Sequence, residues 1–521
     1  MNPHYFKREW IKPSDKTLHV DVCVYGGTSA GVTAAVASAR RGRSVVILNP
    51  SQYVGGMTTG GLGWTDSGKK QVIGGLARQF YRGVGRLYGK DEVWNFEPGV
   101  AMRVFKAWLD DADVSVYHGQ FLDRVAVDGA RIKSVRMLGG LEVHARIFID
   151  ATYEGDLLAA AGVTYTVGRE SNAQYGETLN GIQVRDKHQF SHPVDPYIEE
   201  GNPGSGVLPH INPEDVYELQ GQGDHRIQAY CFRVCMTDDP DLRVAWEKPA
   251  GFDPTEYILA TRWFNSEKDD YNELLPPSGK LRKFDRLERP HKTDTNNHGP
   301  MSSDYIGANY AWPEAGYEQR EAIFQQHVTY QKGLYWFLAN DPSIPARYRE
   351  SLGAWGLAAD EFEETSHWPH QLYIREARRM VADYVLTEHD CMHKAACEDP
   401  VGMGSYNLDS HNCQRFVHQG RVLNDGDVQV SPAGPYGVSY RSIVPRSGEC
   451  DNLFVPVCLS ASHIAYGSVR MEPVFMILGE SSAIAADLAI AEDAAVQDVG
   501  YGELRPELDK AGQVLEDPTK K

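Results

Sequence analysis

An α/β fold is what this sequence predicts, and three observations carry the prediction. The first is the stretch Asp21 to Pro50, DVCVYGGTSAGVTAAVASARRGRSVVILNP, in which a buried strand, a glycine turn, a small-residue helix and a second buried strand follow one another. The second is a later apolar strand ending in Asp150-Ala151-Thr152, with an alanine-rich helix after it. The third is an apolar helix that opens at Pro473, a residue suited to a first helical turn. The first stretch makes a Rossmann-like βαβ unit, whose helix N-terminus offers unpaired N–H groups to a pyrophosphate.

Asp21 to Tyr25 alternates and then runs apolar with a β-branched bias, as a buried strand does. Gly26, Gly27, Thr28, Ser29, Ala30 and Gly31 supply the turn and the helix start, and Gly42 closes the helix. Against the fingerprint G-x-G-x-x-G, Gly26 and Gly31 hold the first and third places and Thr28 the second. The Thr28 hydroxyl is expected to donate where a glycine normally lets the pyrophosphate approach. Asn49 ends the second strand, where an acid usually holds a ribose hydroxyl, so a weaker amide contact is expected there. A tight turn with no ligand is the alternative reading of this stretch taken alone.

The 521 residues leave room for several domains and a large core. The 52 basic and 71 acidic residues give a net charge of -19, which argues against nucleic-acid or anionic-membrane partners. The eight cysteines show no C-x-x-C pair and no zinc spacing, as expected of a reduced, cytoplasmic protein. Cys231 and Cys235 read as neighbours on one strand or turn. Glu388-His389-Asp390 are adjacent and do not share a helix face, so no metal site is expected. The opening MNPHYFKREW has no signal-peptide core, and no run of about eighteen apolar residues predicts a membrane span.

Beyond Pro50 the sequence predicts a glycine loop in which Gly55, Gly56, Met57 and Thr58 pack backbone closely against a ligand. Amphipathic helices follow, one opened by Ile73-Gly74-Gly75-Leu76 and running to about Tyr88 and another from Pro98 to Leu109. Four short strands, 114–117, 120–127, 130–138 and 141–145, read as a β-meander ahead of the strand that ends at Asp150. The middle, 166–365, has an alternating stretch from Ile227 to Val234, a helix from Glu318 to Asn340, and Pro/Gly/Asn-rich loops at 191–213 and 275–299. Residues 368–380 are expected to lead into a helix or a strand followed by a helix.

The order of βαβ unit, GGM loop, meander and Ile149-Asp150-Ala151-Thr152-Tyr153-Glu154-Gly155-Asp156 resembles FAD-dependent oxidoreductases of the glutathione-reductase-like fold. Within them the chain most resembles the large family labelled "xanthan lyase-like". The segments QLYIREARR at 371–379, SYNLDSH at 405–411 and SVRMEP at 468–473 carry that likeness. The resemblance implies a Rossmann-like FAD-binding domain in two parts, 1–165 and 366–495, with an inserted α+β substrate domain at 166–365 and a polar tail at 496–521. It implies FAD held by the Gly26–Gly31 turn, Asn49, the Gly55–Thr58 loop, Ala151, Asp156 and Met471, with the last helix pointing its N-terminus at the flavin.

Four residues are candidates for chemistry. His411 or His463 is expected to take a hydroxyl proton as hydride leaves for the flavin. Arg470 is expected to steady the reduced flavin or a substrate carboxylate, and Arg375 to clamp substrate or pair with Glu376 or another acid. The expected reaction is hydride transfer from a small hydroxylated substrate, with a sugar suggested thinly by 27 tyrosines and 10 tryptophans. A flavin-containing lyase or isomerase is the alternative, and a degenerate nucleotide-binding module the third reading. Homo-oligomer formation is left open.

Overall fold

The computed structural model describes residues 2–266, 285–289, 291–297 and 299–519. Its main sheet is centred on β1 (Thr17–Tyr25), which runs parallel to β2 (Val45–Asn49) on one side and β6 (Glu142–Asp150) on the other. The last four residues of β1 are fully buried, because helices cover a parallel sheet and leave its strands continuously apolar. β3 (Ser115–His118) extends the sheet beyond β2, again in parallel. On the far side β5 (Arg131–Met137) and β4 (Leu122–Asp128) add antiparallel strands, and a short return strand, Leu453–Phe454, pairs in parallel with β6.

This topology corrects the predicted meander. The stretch 115–118 is no part of it: it pairs with β2 at the sheet edge. The strand expected at 141–145 and the one ending at Asp150 are a single nine-residue strand, β6, because no turn residue interrupts the run.

Helix α1 (Ser29–Arg40) follows the glycine turn, while α2 (Gly75–Leu87) and α3 (Pro98–Asp111) form where the apolar periodicity placed them. The closing helix, Glu472–Glu492, lies along α1 in the same direction. Thr33 Oγ1 donates to Met476 O at 2.9 Å, and a Cβ on Gly479 would stand 2.2 Å from Ala30 O. At the other ends of the two helices Arg41 and Arg43 pair with Asp487. The closing helix is long and apolar enough to cross a membrane, yet 83% of its most apolar stretch is buried inside the protein. A helix apolar all round belongs in a core or a membrane, and here it is in the core.

The middle carries a small sheet that includes Cys235–Thr237, Lys292–Asp294 and Gly356–Ala358, with the helix Tyr317–Asn340 nearby. The alternating stretch 227–234 forms no ladder. Its backbone bonds singly to several segments, with Ala229 N–H donating to Asn412 O, and Tyr230 O and Val234 O accepting from Tyr305 and Thr295 N–H. At Phe232 a side chain serves: Gln331 accepts from Phe232 N–H at 2.7 Å and donates to Phe232 O at 2.8 Å. Residues 368–380 form no helix; they run extended, with Tyr373 N–H bonded to Cys231 O and Arg379–Met380 paired to Tyr165–Thr166. Of the loop expected at 275–299, residues 275–284, 290 and 298 lie outside the described residues, and Lys292–Asp294 is a strand. The expected polar tail is folded: Tyr501–Lys510 is a helix that buries Leu504 and Leu508. One continuous apolar cluster joins the βαβ unit, the middle region and the closing helix, so these parts share one core.

Candidate active site: a crevice at the glycine turn and the network behind it

A crevice opens at the carboxyl end of β1. Gly26, Gly27, Thr28 and Asn49 line it together with Thr152–Glu154 and the segment Gln371, Leu372 and Ile374. Open parallel sheets bind ligands at this end of their strands. The positive end of α1 faces into the turn, where first-turn N–H groups have no acceptor within the helix.

Gly31 shows why the turn has its composition. A Cβ there would lie 1.9 Å from Gly26 O, so the helix approaches the turn as closely as backbone allows. In the second loop Gly56 has φ +54°, and a Cβ would stand 2.3 Å from the Tyr153 hydroxyl. Gly55 N–H bonds Gly27 O at 2.6 Å, tying that loop to the first.

Three expected ligand contacts are spent elsewhere. The Thr28 hydroxyl donates to Ala151 O at 2.7 Å and accepts from Gly31 N–H at 3.3 Å, capping α1 rather than addressing the crevice. Asn49 Oδ1 accepts from Gly27 N–H at 3.0 Å and Nδ2 donates to Tyr53 O at 2.8 Å, so this amide shapes the turn. Asp156 pairs with Arg320 at 2.6 Å and with Arg378 at 2.7 Å; burial raises its carboxyl, but the two arginines outweigh burial and hold it below the usual range. Ala151 stands behind Gly26 and Gly31 as small-residue packing.

Met57 and Thr58 meet the start of the closing helix through Glu472. Tyr153 OH accepts from Met57 N–H at 2.9 Å and donates to Glu472 Oε1 at 2.7 Å, while Thr58 Oγ1 donates to Glu472 Oε2 at 2.6 Å. Burial pushes the Glu472 carboxyl up, with the Ser29, Thr58 and Tyr153 hydroxyls opposing it. Met471 is the N-cap of that helix, next to Arg470. The N-termini of α1 and the closing helix therefore converge on one spot.

Behind the segment 371–374 the four candidate residues join a single buried network. His411 Nδ1 lies 2.8 Å from Asp304 Oδ2, and Asp304 Oδ1 lies 3.0 Å from Arg375 Nη2. Burial raises the Asp304 carboxyl, but Arg375 and His411 overcome it and hold the group well below the usual carboxylate range. An ionised Asp304 accepts, so Nδ1 carries a proton, and Nε2 on the other side of the ring faces Asp409 Oδ2 at 3.6 Å. His463 sits between Glu376, at 2.7 Å from Nδ1, and Ser410 Oγ, at 3.0 Å from Nε2. Arg470 donates to Tyr373 OH at 2.9 Å, Gln228 Oε1 at 3.1 Å and Asp409 O at 2.8 Å. Gln228 ties the halves together, accepting from His411 N–H at 3.2 Å and donating to Glu376 at 2.6 Å. Arg375 Nε and Arg470 Nε are buried with no acceptor.

Sequence reasoning missed Gln228, Asp304 and Glu154. Gln228 and Asp304 come from stretches with no motif, and only the fold brings them to His411, whereas Glu154 stands inside the Ile149–Asp156 segment that carries the resemblance. Glu154 lines the crevice, and burial, opposed by Arg320, pushes its carboxyl up to about 7. His4 and Tyr5 also line the crevice, held there by Glu321, which accepts from Tyr5 N–H and Phe6 N–H at 2.7 and 2.9 Å.

No curated protein sequence matches the chain. Among solved structures it is similar in part to L-proline dehydrogenase from P. horikoshii (15% identity, TM-score 0.25), over 30% of this chain and 59% of that one. It is similar in part to THI4 from Thermovibrio ammonificans (18% identity, TM-score 0.23), over 31% and 71%. A third is OxyS anhydrotetracycline hydroxylase from Streptomyces rimosus (12% identity, TM-score 0.22), over 33% and 36%. The chain thus spans less than two thirds of the length of the dehydrogenase. The family model described as FAD dependent oxidoreductase matches residues 21–508, from β1 through the closing helix. With the glycine-lined crevice at the end of β1, that match establishes that the chain belongs to the FAD dependent oxidoreductase family, an enzyme with FAD as its cofactor.

Proposed function

We propose that this enzyme oxidises a hydroxylated organic compound, of the sugar or polyol class, with His411 as the base that takes the hydroxyl proton. The observation that carries the reading is the Asp304–His411 pair, which fixes a proton on Nδ1 and turns Nε2 toward Asp409 Oδ2 at 3.6 Å, a carboxylate able to take on a proton that Nε2 receives. When bound, FAD supplies the two-electron acceptor for the C–H hydride. The chain fits that cofactor: the turn leaves no Cβ at Gly26, Gly27 or Gly31, two helix N-termini converge, and two buried guanidinium N–H groups lack acceptors. His463 has both ring nitrogens engaged, so its role is to position Ser410 and Glu376. Arg470 places a cation just ahead of the closing helix, where charge and helix end together favour a negative ligand group.

We assign the fold to the glutathione-reductase type on the return strand beside β6 and the closing helix laid against α1, and the xanthan lyase-like branch rests on the sequence segments 371–379, 405–411 and 468–473 alone. Anaerobic mixing with a panel of sugars and polyols, followed by flavin absorbance, tests the reading. Bleaching by a hydroxylated compound is expected. Product formed without net bleaching would favour a lyase or isomerase, and a panel with neither outcome would sink the proposal.

Two variants probe the assigned contacts. Asn49→Ala removes the acceptor of a buried N–H within the turn, so FAD affinity is expected to fall by about 1–3 kcal/mol, read by titrating apoprotein with FAD. Arg470→Ala is expected to lower the flavin midpoint potential, since a nearby positive charge favours the anionic reduced form. An unchanged potential in a redox titration would place Arg470 away from the flavin.

A further inference from the structure

Among the described residues eight arginines are buried, and seven of them have a carboxylate within ion-pairing distance. Arg375 has Asp304 at 3.0 Å, Arg233 has Asp294 at 2.6 Å, and even Arg470 has Asp409 at 3.7 Å. Arg415 has none among the described residues. It keeps 5% of its surface exposed, its Nη2 donates to Pro300 O at 3.1 Å, and its Nε is buried without an acceptor. A guanidinium cannot shed its proton to escape this position. Burial drives its pKa down, as an unpaired buried cation requires. The loop that meets it also holds spare donors: Asn297 Nδ2 and Ser303 Oγ are buried with no partner. A buried cation and surplus donors, with Asp304 and Glu256 acting on the cation only from beyond ion-pairing distance, constitute an environment that can take one more anion.

Its place in the fold ties this shortage to the proposed active site. The loop Pro300–Asp304 gives its first carbonyl to Arg415 and its last side chain to His411. Arg415 and His411 also stand four residues apart on the chain. Either tether spans at most about 14 Å of extended backbone, so a ligand group at Arg415 is within a small molecule's reach of His411.

We propose that Arg415 receives a carboxylate of the substrate, so that the substrate is a hydroxy acid or sugar acid whose reacting hydroxyl lies at His411. The substrate role rests on the reading of His411 as the base. The anion site rests on Arg415 alone. A planar guanidinium with idle donors suits a carboxylate, which accepts two parallel hydrogen bonds.

The test uses the FAD-loaded enzyme and calorimetric titration with gluconate, glucuronate, tartrate and lactate, set against the neutral sorbitol and glucose. At least one acid is expected to bind ten-fold or more tighter than the neutral compounds. Arg415→Met is expected to abolish that preference while the melting temperature holds or rises, because an unpaired buried charge has been removed. A marked fall in melting temperature would instead make Arg415 a structural pillar and overturn the inference. Acids that bind no better than polyols, or equally well to Arg415→Met, would overturn it too. Flavin bleaching, read in parallel, separates the two proposals. Arg415-dependent binding without bleaching by any compound leaves the anion site and removes the oxidation reading; bleaching by neutral polyols alone does the reverse.

Discussion

Gly31→Val is expected to give a protein that no longer retains FAD. The added Cβ would stand 1.9 Å from Gly26 O, and the atom it meets is backbone in the turn itself. Relief requires α1 to withdraw from the turn, which α1 cannot do freely because the closing helix presses on its other side at Ala30 and Thr33. The turn and the helix end must therefore part, and with them the anion-binding N–H groups. Flavin released by acid denaturation, counted per folded protein, measures the effect. Full occupancy in a Gly31→Val protein with native circular dichroism would refute it.

The second large effect is expected at His411. Replacement by Ala removes a base that typically contributes ~10²–10⁴-fold, so stopped-flow flavin reduction should slow by about that factor while FAD binding holds. Asp304→Asn should slow it as well, since an amide no longer holds the proton on Nδ1. His463→Ala is the contrasting case. It strands the buried Glu376 carboxylate, which His463 and Arg379 hold below its usual range against burial, and breaking a buried pair costs about 3–5 kcal/mol. His463→Ala is therefore expected to lower the melting temperature more than the rate, and His411→Ala the reverse. Wild-type reduction in His411→Ala with a confirmed substrate would move the base elsewhere.

The βαβ unit was legible because three constraints coincide there. A buried strand must be apolar, the close approach must be glycine, and the helix end must follow at once. The long helix at 317–340 and the closing helix were legible for the same kind of reason, since periodicity and a first-turn proline are local signals. Asp304 and Gln228 carry no such signal: their partners lie over a hundred residues away in sequence, and only the fold makes them neighbours of His411. Thr28 and Asn49 show the opposite limit. Their positions were read as ligand contacts from a fingerprint, whereas both side chains spend their hydrogen bonds on the protein. The stretch 227–234 alternates, and alternation cannot tell a neighbouring strand from scattered single backbone bonds and a glutamine at Phe232.

The contact between α1 and the closing helix also sets a timetable. α1 is complete by residue 40 and its partner begins at residue 472. At ribosomal speeds of about 5–20 residues per second, the nascent chain waits roughly 20–90 s between them. Throughout that interval one flank of α1 faces solvent or a chaperone, and the floor of the crevice has nothing to press it into shape. The cofactor thus has a finished berth only after the last tenth of the chain has been made. Loading FAD is then a late step in biogenesis, and a stalled or clipped chain is left with an intact glycine turn and no means of keeping the cofactor.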